Sequence, residues 1–246
     1  GSRDVYLCKG KEDFCRYLST LLRNYPRGNV LVEELIDGPQ VIVEVLVNNE
    51  ITNIIAIIEQ EILINQNHFI VTGYNLVIDD ETEKYQKLKQ DVKTIVKQFG
   101  LKHGPCHLEM RYFDNEWKVI EINPRISGGG MNQLLLIGLG LNLVKETINL
   151  ALEEKVDLEP KQKTPTFAKY LTIKKSGILA RITGKNQVIA SPGVQFVYIK
   201  PRRGKKLYPP LNLGNRYAYV IATGESSEEA KENAHKALEK LKFHFY

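Results

Sequence analysis

The chain has 246 residues, 43% hydrophobic and 26% charged, enough to bury a core and to hold more than one domain. Its net charge of +5 suits an anionic ligand without demanding nucleic acid. Three cysteines (Cys8, Cys15, Cys106) with no Cys-x-x-Cys exclude a disulfide framework and give the expectation of a cytoplasmic setting, and the longest apolar-rich run, Met131 to Val144, carries Asn132, Gln133 and Asn142 and is too short to span a membrane comfortably.

In chain order, Val5 to Cys8 reads as a short strand. Lys11 to Arg23 reads as a helix with Phe14, Tyr17, Leu18, Leu21 and Leu22 on one face. After a turn at Pro26-Arg-Gly28, Val30 to Val32 and Gln40 to Val47 read as strands. Ile51 to Ile58 and Glu61 to Ile64 are expected to continue the sheet through a polar turn, with Phe69 to Tyr74 a short extension. Glu81 to Phe99 predicts a helix closed by Gly100. Two strands around Asp114-Asn115-Glu116 follow, then apolar helices over Asn132 to Leu139 and Leu143 to Leu152. The proline-flanked polar run 159–165 marks a boundary. Beyond it, strands are predicted at Ala168 to Ile173, Gly177 to Thr183, Gly193 to Ile199 and Tyr217 to Thr223. Ser226-Ser-Glu-Glu229 is a capping box opening a last helix to about Leu241.

The chemistry concentrates between His107 and Gly130. Glu109 shares a strand face with His107 and Arg111; Val119 and Glu121 share a face of the next strand, with Asn123 next in phase. Two carboxylates and an amide oxygen on one sheet face make the hard, oxygen-only donor set that Mg²⁺ takes. Arg125, two residues further, suits a phosphoryl or carboxylate group beside the metal. The hairpin carries a parity test. A two-residue loop, Asp114-Asn115, places Ile120 opposite Glu109 and turns Glu121 away. A three-residue loop, Asp114 to Glu116, pairs Glu109 with Glu121 and Phe113 with Trp117, and is the expectation. The plain alternative is a half-exposed hairpin with solvated charges. The Asn123-Pro-Arg125 run and the glycines Gly128, Gly129 and Gly130 argue against it, since they end a strand and allow close backbone approach.

Four runs together resemble the ATP-grasp superfamily, notably the ligases related to biotin carboxylase, carbamoyl-phosphate synthase and bacterial L-amino acid ligases. Val30 to Gln40 resembles the hinge strand that holds adenine and ribose, and Phe99 to Glu109 the approach to the first metal ligand. Glu121-Ile-Asn123-Pro-Arg125 matches the Glu-x-Asn-x-Arg signature, and Tyr219 to Ala230 resembles the closing strand and helix. The resemblance implies an α+β fold: residues 1–33 as the remnant of a lid subdomain, 34–163 as a large antiparallel-sheet subdomain with the Mg/ATP site, and 164–246 as a small β-rich domain ending in a helix. It implies metal ligands at Glu109, Glu121 and Asn123 for two Mg²⁺ (or Mn²⁺) ions, and a catalytic Arg125 on the transferred phosphate. It implies nucleotide contacts at Arg3, Glu33, Glu34, Leu35, Ile36 and Gln40, and candidate substrate contacts at Tyr74, His107, Gly128 and Gly129. The implied reaction is ATP-dependent activation of a carboxylate as an acyl-phosphate, followed by capture by an amine or thiol.

Departures from the family pattern shape the expectation further. Only Gly1-Ser2-Arg3 resembles the tail of the phosphate-covering lid, and no lysine strand precedes it, so the chain reads as the C-terminal part of a larger enzyme, inactive alone. Where many amino-acid ligases carry a glutamate and a histidine, this chain places Val71 and Tyr74. The second reading is a nucleotide-binding or scaffold module that kept the fold without the chemistry. A nucleic-acid module rests only on the basic run Lys200 to Lys206, which reads better as a solvated hairpin tip. The expected partners are therefore ATP and small carboxylate and amine substrates, with no membrane; a homodimer is left open.

Overall fold

A computed structural model of the chain describes residues 4–65 and 67–246. The elements are α1 (Lys11–Asn24), β1 (Gln40–Asn48), β2 (Ile51–Asn65), β3 (His68–Leu76), α2 (Glu83–Phe99), β4 (Gly104–Phe113), β5 (Glu116–Asn123), α3 (Met131–Leu139) and α4 (Leu143–Ala151). Then follow β6 (Thr166–Leu171), β7 (Gly177–Thr183), α5 (Lys185–Ile189), β8 (Val194–Ile199), β9 (Lys206–Leu207), β10 (Ala218–Thr223), α6 (Ser227–Glu239) and β11 (Lys242–Phe245). The described residues form one eight-stranded antiparallel sheet, ordered β5-β4-β1-β2-β3-β6-β10-β8, and a three-stranded sheet, β11-β7-β9. This is the α+β architecture expected.

β1 is central and covered on both faces, so its side chains sort by parity. Val41, Val43, Val45 and Val47 pack with Leu88, Val92 and Val96 of α2 and with Leu108, Met110 and Trp117 of the hairpin. Ile42 and Leu46 face the other way, onto Leu134, Leu135 and Leu139 of α3 and Leu143 of α4. Each fully buried valine or leucine contributes about 1.5–3 kcal/mol. The second face also carries Gln40 and Glu44, both buried, and their ladder partners on β4 are Arg111 and His107. α2 ends as read from sequence, with Gly100 left-handed at φ 80°. Ser226 caps α6, its side chain accepting from Glu229 N–H.

Several expectations are corrected. Val5 to Cys8 is not a strand; among the described residues its one backbone bond to the sheet is Leu7 N–H to Asn67 O, 2.9 Å. Val30 to Val32 is not a strand either. Residues 28–37 have no regular structure, and Leu31, Val32 and Leu35 are exposed. Strand propensity is realised only against a neighbour, and among the described residues this segment has none. β2 is continuous where a polar turn was expected, because its polar residues find partners. Glu59 accepts from Tyr85 Oη at 2.7 Å and Asn75 Nδ2 at 3.0 Å, and a bulge at Glu61/Ile62 absorbs the irregularity. The free cysteines Cys8 and Cys15 are exposed, and only Cys106 is buried.

Glu61 ties β2 to β6 and α6. It pairs with Lys169, with Lys231 at 3.0 Å and, at 3.4 Å, with His235, and it accepts from Thr72 Oγ1 at 2.7 Å. Burial alone would raise its pKa, but the bonds from Lys169, Thr72 and Lys231 outweigh it and hold the carboxyl at about 2. A depressed carboxylate stabilises the fold above its unfolded pKa and loses that contribution as pH falls through the folded value. The window is therefore about pH 4.5 down to about 2. Discounted for partial exposure, the contribution is about 1–2 kcal/mol. Urea unfolding of Glu61→Gln is expected to show that loss at pH 7 and a flatter stability profile between pH 4.5 and 2. Equal profiles for wild type and variant would refute the assignment.

Candidate functional site

β4 and β5 bring the two glutamates together, by a different route from the one expected. The loop is the two-residue Asp114-Asn115, with φ 50° and 57°, the left-handed pair of a type I′ turn. Phe113 therefore pairs with Glu116, Tyr112 with Trp117, and Met110 with Val119. A bulge then makes Ile120 the extra residue, and Glu109 pairs with Glu121, Leu108 with Ile122 and His107 with Asn123. The three-residue loop and the Phe113–Trp117 pair are corrected; the pairing of the glutamates stands. Val119 and Glu121 consequently lie on opposite faces rather than one. Trp117 is buried on α2 and donates its Nε1–H to Lys84 O at 2.9 Å, which fixes the hairpin against the layer behind the site.

On the site face, polar groups are connected from the hinge inward. Arg111 donates through Nη1 to Ile36 O at 2.6 Å and through Nε to Gln40 Oε1 at 2.8 Å. Gln40 in turn donates Nε2–H to Glu109 Oε2 at 2.7 Å. Both ends of Gln40 and the carbonyl of Ile36 are thus engaged within the protein. Glu33, Glu34 and Leu35 are exposed, and their backbones make no hydrogen bond among the described residues. Arg3 lies outside the described residues.

Burial, and then the charge of Glu121, push the Glu109 carboxyl above the usual range. Two crowded carboxylates are the electrostatic situation that a divalent cation relieves. His107 Nδ1 lies 2.9 Å from Arg125 O, and its Nε2 lies 3.2 Å from Asn123 Nδ2. A carbonyl only accepts and an amide NH₂ only donates, so the ring is neutral with its proton on Nδ1. Burial, the largest influence on it, lowers the His107 pKa and agrees with that state. The ring therefore holds both Asn123 and the Arg125 backbone. Among the described residues, Asn123 Oδ1 stays without a partner, and the Arg125 guanidinium bonds only Ile126 O, at 3.0 Å, with no ion pair. Two carboxylates and a free amide oxygen are a donor set that fits Mg²⁺ or Mn²⁺. Among the described residues no group of three His, Cys, Asp or Glu is arranged for a metal; this set has two carboxylates and an amide.

Sequence reasoning missed two features. Glu44 has no exposed surface, and burial pushes its carboxyl up to about 7. It accepts from Ser127 N–H at 3.4 Å, beneath the loop carrying Arg125, while its Oε1 and Ser127 Oγ have no partner among the described residues. Its mid-strand position in an apolar run was the available signal. The second is Arg216, beside Tyr74 and the glycine loop. Gly130 N–H donates to Tyr170 Oη at 3.1 Å, and Gly129 has φ 70°. Tyr74 and Gly129 therefore sit together on this side of the sheet, joined through Tyr170 and Arg216.

Residues 1–133 match the ATP-grasp domain, and residues 169–246 match the L-amino acid ligase C-terminal domain 2. The chain belongs to the ATP-grasp family. It is 29% identical over 247 residues to the uncharacterized protein y4rH of Sinorhizobium fredii, a match covering 98% of this chain and 50% of that protein. Among solved structures it is similar to L-amino acid ligase from Bacillus licheniformis (TM-score 0.84, 19% identity, 98% of this chain and 62% of that one). Phosphoribosylglycinamide synthetase from Anaerococcus prevotii follows (0.75, 18%, 98% and 62%). So does the biotin carboxylase domain dimer of Hydrogenobacter thermophilus 2-oxoglutarate carboxylase, in complex with MgADP, ADP and bicarbonate (0.72, 17%, 99% and 55%). These structural likenesses establish the fold. The chain spans about half the length of its curated relative. Among the described residues no single helix is long and apolar enough to cross a membrane; α3 and α4 pass only as a pair bent by 104°, and their buried residues belong to the core.

Proposed function

We propose that this chain is the metal-bearing part of an ATP- and Mg²⁺-dependent ligase that activates a carboxylate as an acyl-phosphate and couples it to an amine or thiol. The observation that carries this is the Glu109–Glu121 pair, followed by Asn123, whose Oδ1 has no partner among the described residues, and by the Arg125 guanidinium, which bonds only Ile126 O there. In this reading Glu109, Glu121 and Asn123 hold the metal ions, which would neutralise charge on the β- and γ-phosphates. Arg125 holds the transferred phosphoryl group. His107 is a positioning residue for Asn123 and Arg125. The free backbone groups of 33–35, flanked by exposed Leu31, Val32 and Leu35, meet the adenine edge and its faces. The substrate carboxylate oxygen attacks the γ-phosphorus and ADP leaves. The nucleophile then adds to the acyl carbon, loses its proton and expels phosphate. The protein supplies position and fixed charge.

Support comes from membership of the ATP-grasp family and from the shared fold with an L-amino acid ligase and a phosphoribosylglycinamide synthetase. The division at 33/34 and 163/164 belongs to the same proposal. Because the chain spans half its relative's length, the full reaction is assigned to the longer protein, and these 246 residues alone are proposed to be inactive. A scaffold without chemistry is disfavoured by the intact Glu–Glu–Asn–Arg set. Hydroxylamine added to the full-length protein with Mg-ATP and a carboxylate panel should trap a hydroxamate, with one ADP released for each. Release of AMP and pyrophosphate instead would refute the acyl-phosphate route.

A further inference from the structure

Beside the glycine loop, Arg216 Nη2 and the hydroxyls of Tyr74 and Tyr170 have nothing to donate to among the described residues. Arg216 lies between a 3₁₀ turn (Leu213–Asn215) and β10, half-buried, with its guanidinium carbon 4.0 Å from the centre of the Tyr170 ring and 5.7 Å from that of Tyr74. Its Nε bonds Leu213 O at 3.3 Å; its Nη1 bonds Val71 O and Tyr74 Oη, both at 3.2 Å. No carboxylate among the described residues pairs with it, and Nη2 has no hydrogen-bond partner there.

Tyr74 and Tyr170 are both buried, 6% exposed. Each hydroxyl accepts one bond, Tyr74 from Arg216 and Tyr170 from Gly130 N–H, and neither donates one among the described residues. A Cβ built on Gly129 would lie 3.4 Å from Tyr170 Oη and 3.9 Å from Arg216 Nη2. The glycine therefore leaves a small space onto which two of the donors open. The rings are held in a row: Tyr74 meets Tyr170 edge-on at 5.6 Å, and Tyr170 meets Tyr219, its ladder partner, at 4.9 Å.

A fixed cation with two hydroxyl donors and no counter-ion is a site for an anion. We infer that Arg216, Tyr74 and Tyr170 form a carboxylate-binding pocket at the Gly128–Gly130 loop, and that a substrate of the ligase carries a carboxylate there. A single positive charge and two neutral donors match a carboxylate better than a doubly charged phosphate. Only the word substrate rests on the ligase reading; the pocket itself does not.

The test separates the two. The 246-residue chain is titrated at constant ionic strength with glutarate, inorganic phosphate or propylammonium, while the Tyr74 and Tyr170 rings, the Gly128–Gly130 amides and Arg216 Nε are followed by NMR. In a second experiment, Mn²⁺ broadening is read at Glu109, Glu121 and Asn123. Glutarate is expected to shift the tyrosine, glycine and Arg216 signals. Arg216→Gln should weaken this binding about tenfold or more, and Tyr74→Phe, which keeps the ring, by a smaller factor. Loss of Mn²⁺ broadening with the glutarate shifts intact would remove the ligase reading and leave the pocket. The wild-type map does not depend on the variants folding. No glutarate shift, shifts confined to the basic loop 200–206, or preference for phosphate or propylammonium would overturn the inference.

Discussion

If Glu121 holds the metal as proposed, Glu121→Ala in the full-length protein is expected to lower ATP-dependent ADP release by roughly 10³-fold, because losing one ligand forfeits several kcal/mol of charge stabilisation in the transition state. Glu121 lies on an edge strand and is exposed, so the fold should survive the change. Glu121→Gln serves as the near-isosteric control and should be impaired comparably, since the amide carries no charge. Mn²⁺ affinity, read by electron paramagnetic resonance, should fall in parallel. A further signature separates metal loss from misfolding. Glu121 is the main charged neighbour raising the Glu109 carboxyl, so the Glu109 pKa should drop in Glu121→Gln. Unchanged ADP release in both variants would end the metal-ligand assignment.

Gly38→Ala is expected to destabilise by about 3 kcal/mol or more, or to detach the hinge. Gly38 has φ 142°, which side-chain-bearing residues rarely adopt, and an added Cβ would lie 2.1 Å from Tyr112 O. That atom is backbone and cannot swing aside. The neighbouring bond from Tyr112 N–H to Pro39 O, 3.0 Å, holds the hinge to the tip of β4. Pushing them apart would also pull Ile36 O from Arg111 and disturb Gln40 and Glu109. The urea midpoint of the 246-residue chain and the ATP affinity of the full-length protein should both fall. If neither moves, the hinge is not held as described.

Much of the scaffold was legible because its signals are local. α2 has helical periodicity and a glycine stop, α6 has its capping box, and Gly140 closes α3. The errors fall where neighbours decide. Residues 30–32 have strand composition but, among the described residues, no strand beside them. The polar turn expected between Ile58 and Glu61 is continuous strand, where Tyr85 and Asn75 supply partners to Glu59 and Lys169 supplies one to Glu61 from elsewhere in the chain. β9 and β11 are short strands that depend on the second sheet, and the short α5 packs against β8 and α6; sequence periodicity did not reveal them. The signature Glu121, Asn123 and Arg125 could be read directly, whereas Arg216 reaches Val71 and Tyr74 across about 145 and 142 residues of chain. The bulge at Ile120 had no compositional mark at all.

That bulge bears on how the hairpin tolerates changes in length. Between the turn and Glu121, β5 carries one residue more than its partner. Loss of Ile120 would leave a regular ladder with the two carboxylates still opposite. One residue added to the turn could likewise be absorbed by the ladder closing over the bulge. A deletion between Glu121 and Asn123 has no such slack, because it shifts Asn123 out of line with His107. Indels in this lineage should therefore gather on the turn side of the second glutamate and avoid the far side.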